Sequence, residues 1–574
     1  MTKSGEFSQQ ATQDAAWDDH CDLLVAGSGA AGLAAALAAA AGGLKVILAE
    51  KSDVIGGTTA WSGGWIWAPC NPVARRHGFD EDSSGPRQYL KAVQGNAFDP
   101  ALVDAFLQAA PQMIGFLEDR GLAFECGARI PDTYGHLPGA GTGGRSVIAA
   151  PYPGQALGRD IALLRRPLRE TSFWGMTIQA GADLRAFMTA TRSVASALHV
   201  TRRMARHLWS LARHGRGMEL RNGNALVARL LRAALDAGVV VRTGQGVAQL
   251  IGDGGVTGAV LDTAQGPRRI RARRGVVLAC GGYPQDLPRR AASFPRPDQH
   301  ATLAVPEASG DGLRLGEAAG GYQAANLAAP GAWCPVSRVD WPDGSTGVFP
   351  HIIERGKPGV IGVLADGRRF CNEGLGYYDY VQALFDAIPE GQEVASWLVC
   401  DHRFIRRYGL GIVRPAPLPL RPWIASGYLK TGRSIEALAQ ACGIDAQGLA
   451  ATVTQFNDHA RRGEDPAFHR GTTPYMRLQG DPEVTPNPCL APIERGPFYA
   501  VKVIPGSFGT FAGLQTDGAA RVLDAGGAPI PGLYAAGTDM RSVMGGHYPA
   551  GGINLGPALT FGYIAGRHAA GARG

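Results

Sequence analysis

Apolar and polar positions in the first fifty residues predict a strand, a helix and a second strand in succession. Residues 21–26 (CDLLVA) read as a short buried strand, residues 33–41 as an Ala-rich helix, and residues 45–49 (KVILA) as the second strand. Three later runs have the same character: residues 238–242, 275–280 (GVVLAC) and 532–537 (GLYAAG). The last two read as strands returning to the sheet of the first, and a final helix is expected over residues 557–565. Residues 23–41 are apolar enough to imitate a membrane span, but glycines interrupt them at meaningful spacing. A buried strand and helix is the better reading.

Between the first strand and helix stands Gly27-Ser28-Gly29-Ala30-Ala31-Gly32. The first glycine permits a tight turn, the second lets backbone approach a pyrophosphate, and the third lets helix pack on strand. The helix N-terminus then faces the phosphates. Glu50 ends the second strand, about twenty residues on, where a carboxylate can accept hydrogen bonds from an unphosphorylated adenosine ribose. This is a Rossmann-type dinucleotide site. After Glu50 come Lys51, then Gly56-Gly57-Thr58-Thr59 and Ser62-Gly63-Gly64, a second glycine-rich loop. Val247 follows the run over 238–242, Gly281-Gly282 follow the run over 275–280, Gly537 ends the run over 532–537, and Asn554-Leu555-Gly556 opens the final helix. Its amides can stabilise negative charge on a bound group. No second GxGxxG follows a strand, so a separate NAD(P)H domain is not expected.

At 574 residues the chain is too long for one core, and two domains are expected. The 45% hydrophobic and 18% charged residues place it among globular proteins and outside disordered or fibrous classes. Its 81 glycines are spread through motifs, as expected where backbone approaches a large ligand at many places. The net charge of +7 is mild for this size, and no nucleic-acid partner is expected. Basic residues cluster in Arg202 to Arg221, where Arg203, Arg206, Arg213 and Arg216 sit among Leu208, Trp209 and Leu211. Both the solvated face of a cap helix and a peripheral membrane contact fit that pattern. Nine cysteines lie scattered without metal-ligand spacing, so no metal is expected and a reducing, cytoplasmic setting is. The first twenty residues are polar and lack a secretory pattern.

The pattern EK…GGTT…SGG resembles flavoproteins related to fumarate reductase and, over nearly the whole chain, the 3-ketosteroid Δ1-dehydrogenase family. The likeness is carried by Asp132-Thr133-Tyr134-Gly135-His136-Leu137-Pro138-Gly139 with Gly144-Arg145-Ser146, and by Gly367-Arg368-Arg369-Phe370-Cys371-Asn372-Glu373 with Tyr377. It extends through Phe468-His469-Arg470-Gly471, Gly496-Pro497-Phe498-Tyr499-Ala500, and Val543-Met544-Gly545 to Gly556-Pro557-Ala558. The resemblance implies FAD, with Val247 near its adenine, Gly537 at its ribitol and the amides at Asn554-Leu555-Gly556 facing the flavin ring. Covalent relatives carry a flavin-attaching histidine near the second glycine loop; here Thr58-Thr59-Ala60-Trp61 stands there, implying non-covalent FAD.

The resemblance also implies roles. Tyr548 and the Gly552 amide would hold a 3-keto oxygen, Tyr377 would remove a proton from the neighbouring carbon, and Tyr134 would hydrogen-bond that base and relay its proton. Hydride would pass to flavin N5, giving 1,2-desaturation. Tyr378 adjoins Tyr377, and the offset of five from Asn372 favours Tyr377. A hydrophobic ketone is the implied substrate, and a quinone or dye the implied acceptor. The chain departs from the pattern at Pro549-Ala550-Gly551, where the family has Pro-Gly-Pro, and at Phe511-Ala512, where it has Lys-Gly. His547 also precedes Tyr548. Two alternatives stand beside desaturation: fumarate-reductase-like reduction of an activated double bond, and an electron-transfer flavoprotein subunit. The first is disfavoured because Tyr377 stands where the proton-donating arginine would be. The expected architecture is an α/β Rossmann-type FAD-binding domain of about residues 1–285 and 500–574, with an inserted α+β catalytic domain, 286–499.

Overall fold

The computed structural model describes residues 16–572, so the leader reading for the first twenty residues lies mostly outside the described residues. The chain opens with β1 (Asp19–Ala26), α1 (Ala30–Ala41) and β2 (Val46–Ala49). β1 is hemmed in by parallel strands on both sides, Arg268–Leu278 and β2, and its last four side chains are all buried. Fully buried parallel strands are near-continuous apolar runs, which is why LLVA and VILA stood out in the sequence. The strand order is Arg521–Leu523, Pro529–Ala535, Arg268–Leu278, β1, β2 and Val240–Arg242. Two further strands, Gly246–Ile251 and Gly258–Asp262, extend it by antiparallel pairing.

Helix α1 packs against the last helix, Leu555–Ala569, almost backbone to backbone. A Cβ on Gly562 would lie 2.3 Å from the Ala31 carbonyl oxygen, and one on Gly566 2.3 Å from that of Ala35. The Ala-rich face of α1 and these glycines make the approach possible. The last helix thereby aims its N-terminal end at the β1–α1 turn.

The second sheet is built around the long strand Phe498–Thr510, flanked by Gly331–Asp340 and Ser396–Asp401, with Thr346–Pro350 and Val360–Val363 outside them. Residue 500, the expected re-entry to the FAD domain, falls inside this central strand. The return to the first sheet therefore comes after Thr510, because a 13-residue strand carries the chain across the second sheet before it turns back.

The basic segment is a helix, Val194–His214. Arg203 is not on its open face: it is buried and pairs with Asp183. Arg216 donates to the carbonyls of Ile161 and Leu164 at 2.7 and 3.2 Å. Arg202, Arg206 and Arg213 are exposed, beside Val194, Leu198, Leu208 and Trp209. Among the described residues no helix is long and apolar enough to cross a membrane, and the nine cysteines are all free.

Candidate active site

The β1–α1 turn has the shape its glycines predict. Gly27 has φ +101°, and a Cβ there would sit 2.2 Å from the Ala279 carbonyl oxygen; a Cβ on Gly32 would sit 1.9 Å from that of Gly27. Gly29 differs, since its Cβ would meet only the Thr59 hydroxyl, at 3.6 Å. The protein leaves room beside Gly29, as a cradle for a phosphate requires. The second glycine loop closes over this turn. Thr59 Oγ1 accepts from the Ala30 amide at 3.0 Å, and Thr58 Oγ1 from the Val305 amide at 3.2 Å. Gly57 opens a 3-10 turn reaching Trp61. The Ser62 hydroxyl caps that turn at the Thr59 carbonyl and accepts from the Gly64 amide. Gly63 faces open space, whereas a Cβ on Gly64 would strike Asn222.

Glu50 is buried at the end of β2 and accepts from the Ser28 amide and hydroxyl at 3.0 and 2.5 Å and from the Ser52 amide at 2.9 Å. A carboxylate has about four lone-pair sites, so a ribose hydroxyl can still be accommodated. Lys51 is held by Asp311 at 2.6 Å and Ser309 at 2.8 Å, its stem lying over Gly246 beside Val247. On the opposite side, Gly281 and Gly282 have φ +98° and +71°. The amides of Cys280 and Gly282 donate to the Asp539 carboxylate, two residues past Gly537. Burial pushes Asp539 up to about 6. A small cavity is lined by Thr510, Phe511, Gly537, Thr538, Asn554 and Ala558. The Thr510 hydroxyl in it is sealed from solvent without a hydrogen-bonded partner. The open side of Gly29, the Thr510 hydroxyl and the helix starting at Leu555 all fit a bound dinucleotide carrying a polar ring system.

Beside this cradle lie the tyrosines. Tyr377 begins the helix Tyr377–Ala387 and packs edge-on against Tyr548, ring centroids 4.8 Å apart. Phe508, Phe511 and Tyr378 complete an aromatic enclosure at 5.4 Å from Tyr377 and at 6.1 and 6.5 Å from Tyr548. Tyr378 donates its proton to the Gly546 carbonyl at 3.0 Å, so its hydroxyl is already used. The Asn554 amide donates to the Tyr548 hydroxyl at 3.1 Å, which leaves the Tyr548 proton free for another acceptor. Burial raises both Tyr377 and Tyr548 above the ordinary phenol range. Gly552, at φ +101°, has no room for a side chain: a Cβ would lie 2.7 Å from the Trp67 nitrogen. Burial lowers His547 below the usual imidazole range, keeping it neutral at pH 7.

Tyr134 is anchored through both its hydroxyl and its backbone amide. Its hydroxyl donates to Asp379 Oδ1 at 2.9 Å, and its amide to the Tyr89 hydroxyl at 3.2 Å. Tyr89 in turn donates to the Pro549 carbonyl at 2.6 Å, which also accepts from the Thr133 amide at 2.8 Å. The segment around Tyr134 thus buttresses the loop carrying Tyr548. A second scaffold supports Tyr377. Fully buried Glu373 pairs with Arg369 at 2.7 Å and with Arg470 at 3.2 Å, and Arg369 also reaches Asp465 at 2.8 Å. Buried Arg355 donates to the carbonyls of Glu373 and Leu375, just ahead of the helix.

A family model for the FAD binding domain matches residues 22–555. The 4-oxocyclohex-2-ene-1-carboxylate 5-dehydrogenase of Sinomonas cyclohexanicum is 39% identical, covering 96% of this chain and 94% of its own. The chain belongs to this family of FAD-dependent dehydrogenases. A 3-oxosteroid 1-dehydrogenase of Mycobacterium tuberculosis is 34% identical over 96% of this chain and 98% of its own. The crystal structure of a 3-ketosteroid Δ1-dehydrogenase from Sterolibacterium denitrificans, in complex with 1,4-androstadiene-3,17-dione, superposes with TM-score 0.89 and 33% identity. It covers 97% of this chain and 100% of that one. The chain is therefore an FAD-dependent dehydrogenase of the 3-oxosteroid 1-dehydrogenase type or a close relative.

Two groups escaped the sequence reading. Asp379 follows two tyrosines in a helix's first turn and looks like a capping residue. Burial raises Tyr475 to about 12, with Asp379 close by, and Tyr475 lies near both Tyr377 and Tyr548. A lone tyrosine in a polar stretch gives no sequence signal.

Proposed function

We propose that this dehydrogenase, with FAD held non-covalently, introduces a C=C bond next to the carbonyl of an uncharged ring ketone, most simply by 1,2-desaturation of a 3-ketosteroid. One observation carries the reading: Tyr377 and Tyr548 face each other inside an aromatic enclosure, with Asn554 leaving the Tyr548 proton free to donate. Tyr548 and the Gly552 amide receive the ketone oxygen and stabilise the enolate-like charge that grows there. Polarising the carbonyl makes the adjacent C–H acidic, and Tyr377 takes that proton. Bound FAD would supply the two-electron acceptor for the hydride from the next carbon.

The walls favour an apolar substrate. Phe511 replaces the lysine of the family pattern, and its ring lies 6.1 Å from that of Tyr548. A small oxo-acid is the second reading, favoured by the 39% identity to an enzyme named for a cyclohexene carboxylate. The test is anaerobic mixing of FAD-loaded protein with 4-androstene-3,17-dione or 4-oxocyclohexanecarboxylate, following loss of the oxidised-flavin absorbance and product mass. Bleaching with loss of two hydrogens from the steroid supports the first reading, and from the oxo-acid alone the second. Bleaching by neither refutes ketone desaturation. The exposed arginines and apolar residues of Val194–His214 support peripheral contact with an anionic membrane surface.

A further inference from the structure

The last helix, Leu555–Ala569, is led by an asparagine that does not cap it. Asparagine is among the residues most favoured at that place, because its side-chain oxygen accepts from an amide in the first turn. Asn554 makes no such bond. Its amide group reaches instead to the Tyr548 hydroxyl, six residues earlier, at 3.1 Å. A bond that would stabilise the helix is forgone for one to a phenol. The loop between the two residues is anchored along its backbone, which holds them in fixed relation. The Pro549 carbonyl accepts from the Thr133 amide and the Tyr89 hydroxyl, the Gly551 carbonyl from the Ser146 hydroxyl, and the Gly552 carbonyl from the Trp67 and Gly556 amides. Asn554 also lines the small cavity shared with Thr510 and Gly537. It stands where the cofactor cradle meets the tyrosines.

A phenol has one proton to give, and an amide nitrogen only donates. With Asn554 donating to its oxygen, Tyr548 has to direct its own proton elsewhere, and its ring faces Tyr377. We propose that Asn554 is a positioning residue that sets the direction of the Tyr548 proton, so that the phenol meets an incoming ketone oxygen as a donor. The inference rests on the tyrosine reading above. No proton leaves Asn554 and no bond breaks. The hydroxyl is oriented before the ketone arrives, which is what makes such a donor effective as charge grows on the ketone oxygen.

Polarity and shape can be separated here. Asn554→Asp keeps nearly the same shape but presents only oxygens, so the Tyr548 proton turns to the new carboxylate and the ketone loses its donor. Asn554→Ala removes the amide and leaves the proton free to reach the ketone without being held there. A space-filling role predicts that aspartate keeps more activity than alanine; the polarity role predicts the reverse. Burial raises a carboxyl, and once protonated it can donate to the phenol oxygen again, so the aspartate variant should recover as pH falls. Groups around Tyr548 do not imitate that step. Burial raises Tyr377, Tyr378, Tyr475 and Cys334 above their ordinary ranges and lowers His547. The carboxyls of Asp379 and Asp539, both near 6, are common to variant and wild type.

The experiment is anaerobic single-turnover flavin reduction by 4-androstene-3,17-dione between about pH 5 and 9, the span over which a buried carboxyl titrates. 4-Oxocyclohexanecarboxylate takes its place should the steroid leave the wild-type flavin oxidised. The FAD-loaded proteins are wild type, Asn554→Ala, Asn554→Leu, Asn554→Asp, Tyr548→Phe and Tyr548→Phe/Asn554→Asp, with rates normalised to bound flavin. Above neutrality Asn554→Ala and Asn554→Leu should each lose roughly 2–10-fold, the worth of one ordinary hydrogen bond. Asn554→Asp should lose on the order of 10²–10³-fold, the worth of one donor to a developing oxyanion, and regain at least about tenfold of it as pH falls. In the Tyr548→Phe background Asn554→Asp should change the rate by only a few fold, because no phenol proton remains to redirect; a charge acting on the flavin directly would keep its full effect there. An aspartate variant as fast as the alanine one, an aspartate loss that persists undiminished in the Tyr548→Phe background, or a leucine variant as fast as wild type overturns the inference. If Tyr548→Phe is itself fully active, the tyrosine reading has failed; if Tyr548→Phe is slow while Asn554→Asp matches or exceeds Asn554→Ala, only the positioning role has.

Discussion

Replacing Tyr548 by Phe deletes one oxygen from the centre of the site, and its consequences for rate and for stability can be worked separately. The ring stays, so the packing on Tyr377 at 4.8 Å and on Phe511 at 6.1 Å is kept. What is lost is a donor aimed at the ketone oxygen and the acceptor for the Asn554 amide at 3.1 Å. A single donor to a developing oxyanion is worth about 2.7–4 kcal/mol. At about 1.36 kcal/mol per decade this is a fall of roughly 10²–10³-fold in turnover. Because the interaction strengthens only as the enolate forms, kcat should carry the loss and KM should change little. The orphaned Asn554 amide costs about 1–3 kcal/mol of stability, which lowers the melting temperature but leaves the phosphate cradle around Gly29 intact. The assay is anaerobic stopped-flow reduction of the bound flavin by saturating 4-androstene-3,17-dione, with flavin content measured on the same sample. A fully loaded Tyr548→Phe protein that reduces its flavin at more than a tenth of the wild-type rate would falsify the assignment of Tyr548 as the carbonyl donor.

Gly29→Val should fold with a near-normal melting temperature yet purify colourless, because the space beside Gly29 is left for the cofactor. Gly27→Ala should lower the melting temperature itself, since the new Cβ meets the Ala279 carbonyl oxygen at 2.2 Å. Glu373→Gln leaves two buried guanidiniums without their shared carboxylate and should cost about 3–5 kcal/mol, read as a shift in denaturant midpoint. Burial lifts the carboxyl of fully buried Asp539 from the ordinary 3.8 to about 6. A raised carboxyl pKa means the folded state holds its proton more tightly, so stability on this account is greatest below about 4 and falls as pH rises to about 6. The difference of roughly 2 units corresponds to about 3 kcal/mol. Asp539→Asn should therefore be most destabilising relative to wild type near pH 4, and the gap in melting temperature should narrow by pH 7. Flotation with phosphatidylglycerol vesicles should recover the wild type and much less of a Leu198→Ser/Trp209→Ser double variant; equal recovery of both removes the membrane contact.

The dinucleotide half of the molecule was legible because its constraints are local. Gly27, Gly29 and Gly32 fall within six consecutive residues, each answering a different steric demand, and the buried parallel strands on either side are unbroken apolar runs. The cap was less legible. Its central strand Phe498–Thr510 makes every one of its sheet contacts with residues between Ala301 and Gly432, and nothing within 498–510 announces which sheet it joins. The tyrosines were picked out by their motifs, and between Tyr377 and Tyr378 the structure adds that the Tyr378 hydroxyl donates to the Gly546 carbonyl. Asp379 could not be read at all, because the partner that gives it meaning, Tyr134, is 245 residues away.

The same structure shows what the motifs do and do not report. GRRFCNE and FHRG meet as one buried ion network, Arg369 and Arg470 on Glu373, whose carbonyl also anchors Arg355 ahead of Tyr377. DTYG and GRS meet in the same way: Arg145 pairs with Asp132, and Trp67 donates to that carboxylate at 3.0 Å. The altered loop Pro549-Ala550-Gly551 docks onto this second network through backbone carbonyls, Pro549 to Thr133 and Tyr89 and Gly551 to Ser146. Side chains can change there without moving Tyr548. These motifs therefore mark an architecture that places two phenols beside the dinucleotide cradle, and they do not by themselves choose between a steroid and a single-ring ketone. Selectivity must come from positions whose side chains face the substrate without holding the scaffold. Phe511 is the candidate we propose: its buried ring lies 6.1 Å from that of Tyr548, where the resembled family carries a cation. Phe511→Lys should weaken an uncharged steroid more than an oxo-acid, and a variant that shifts neither would place the choice of substrate elsewhere in the cap.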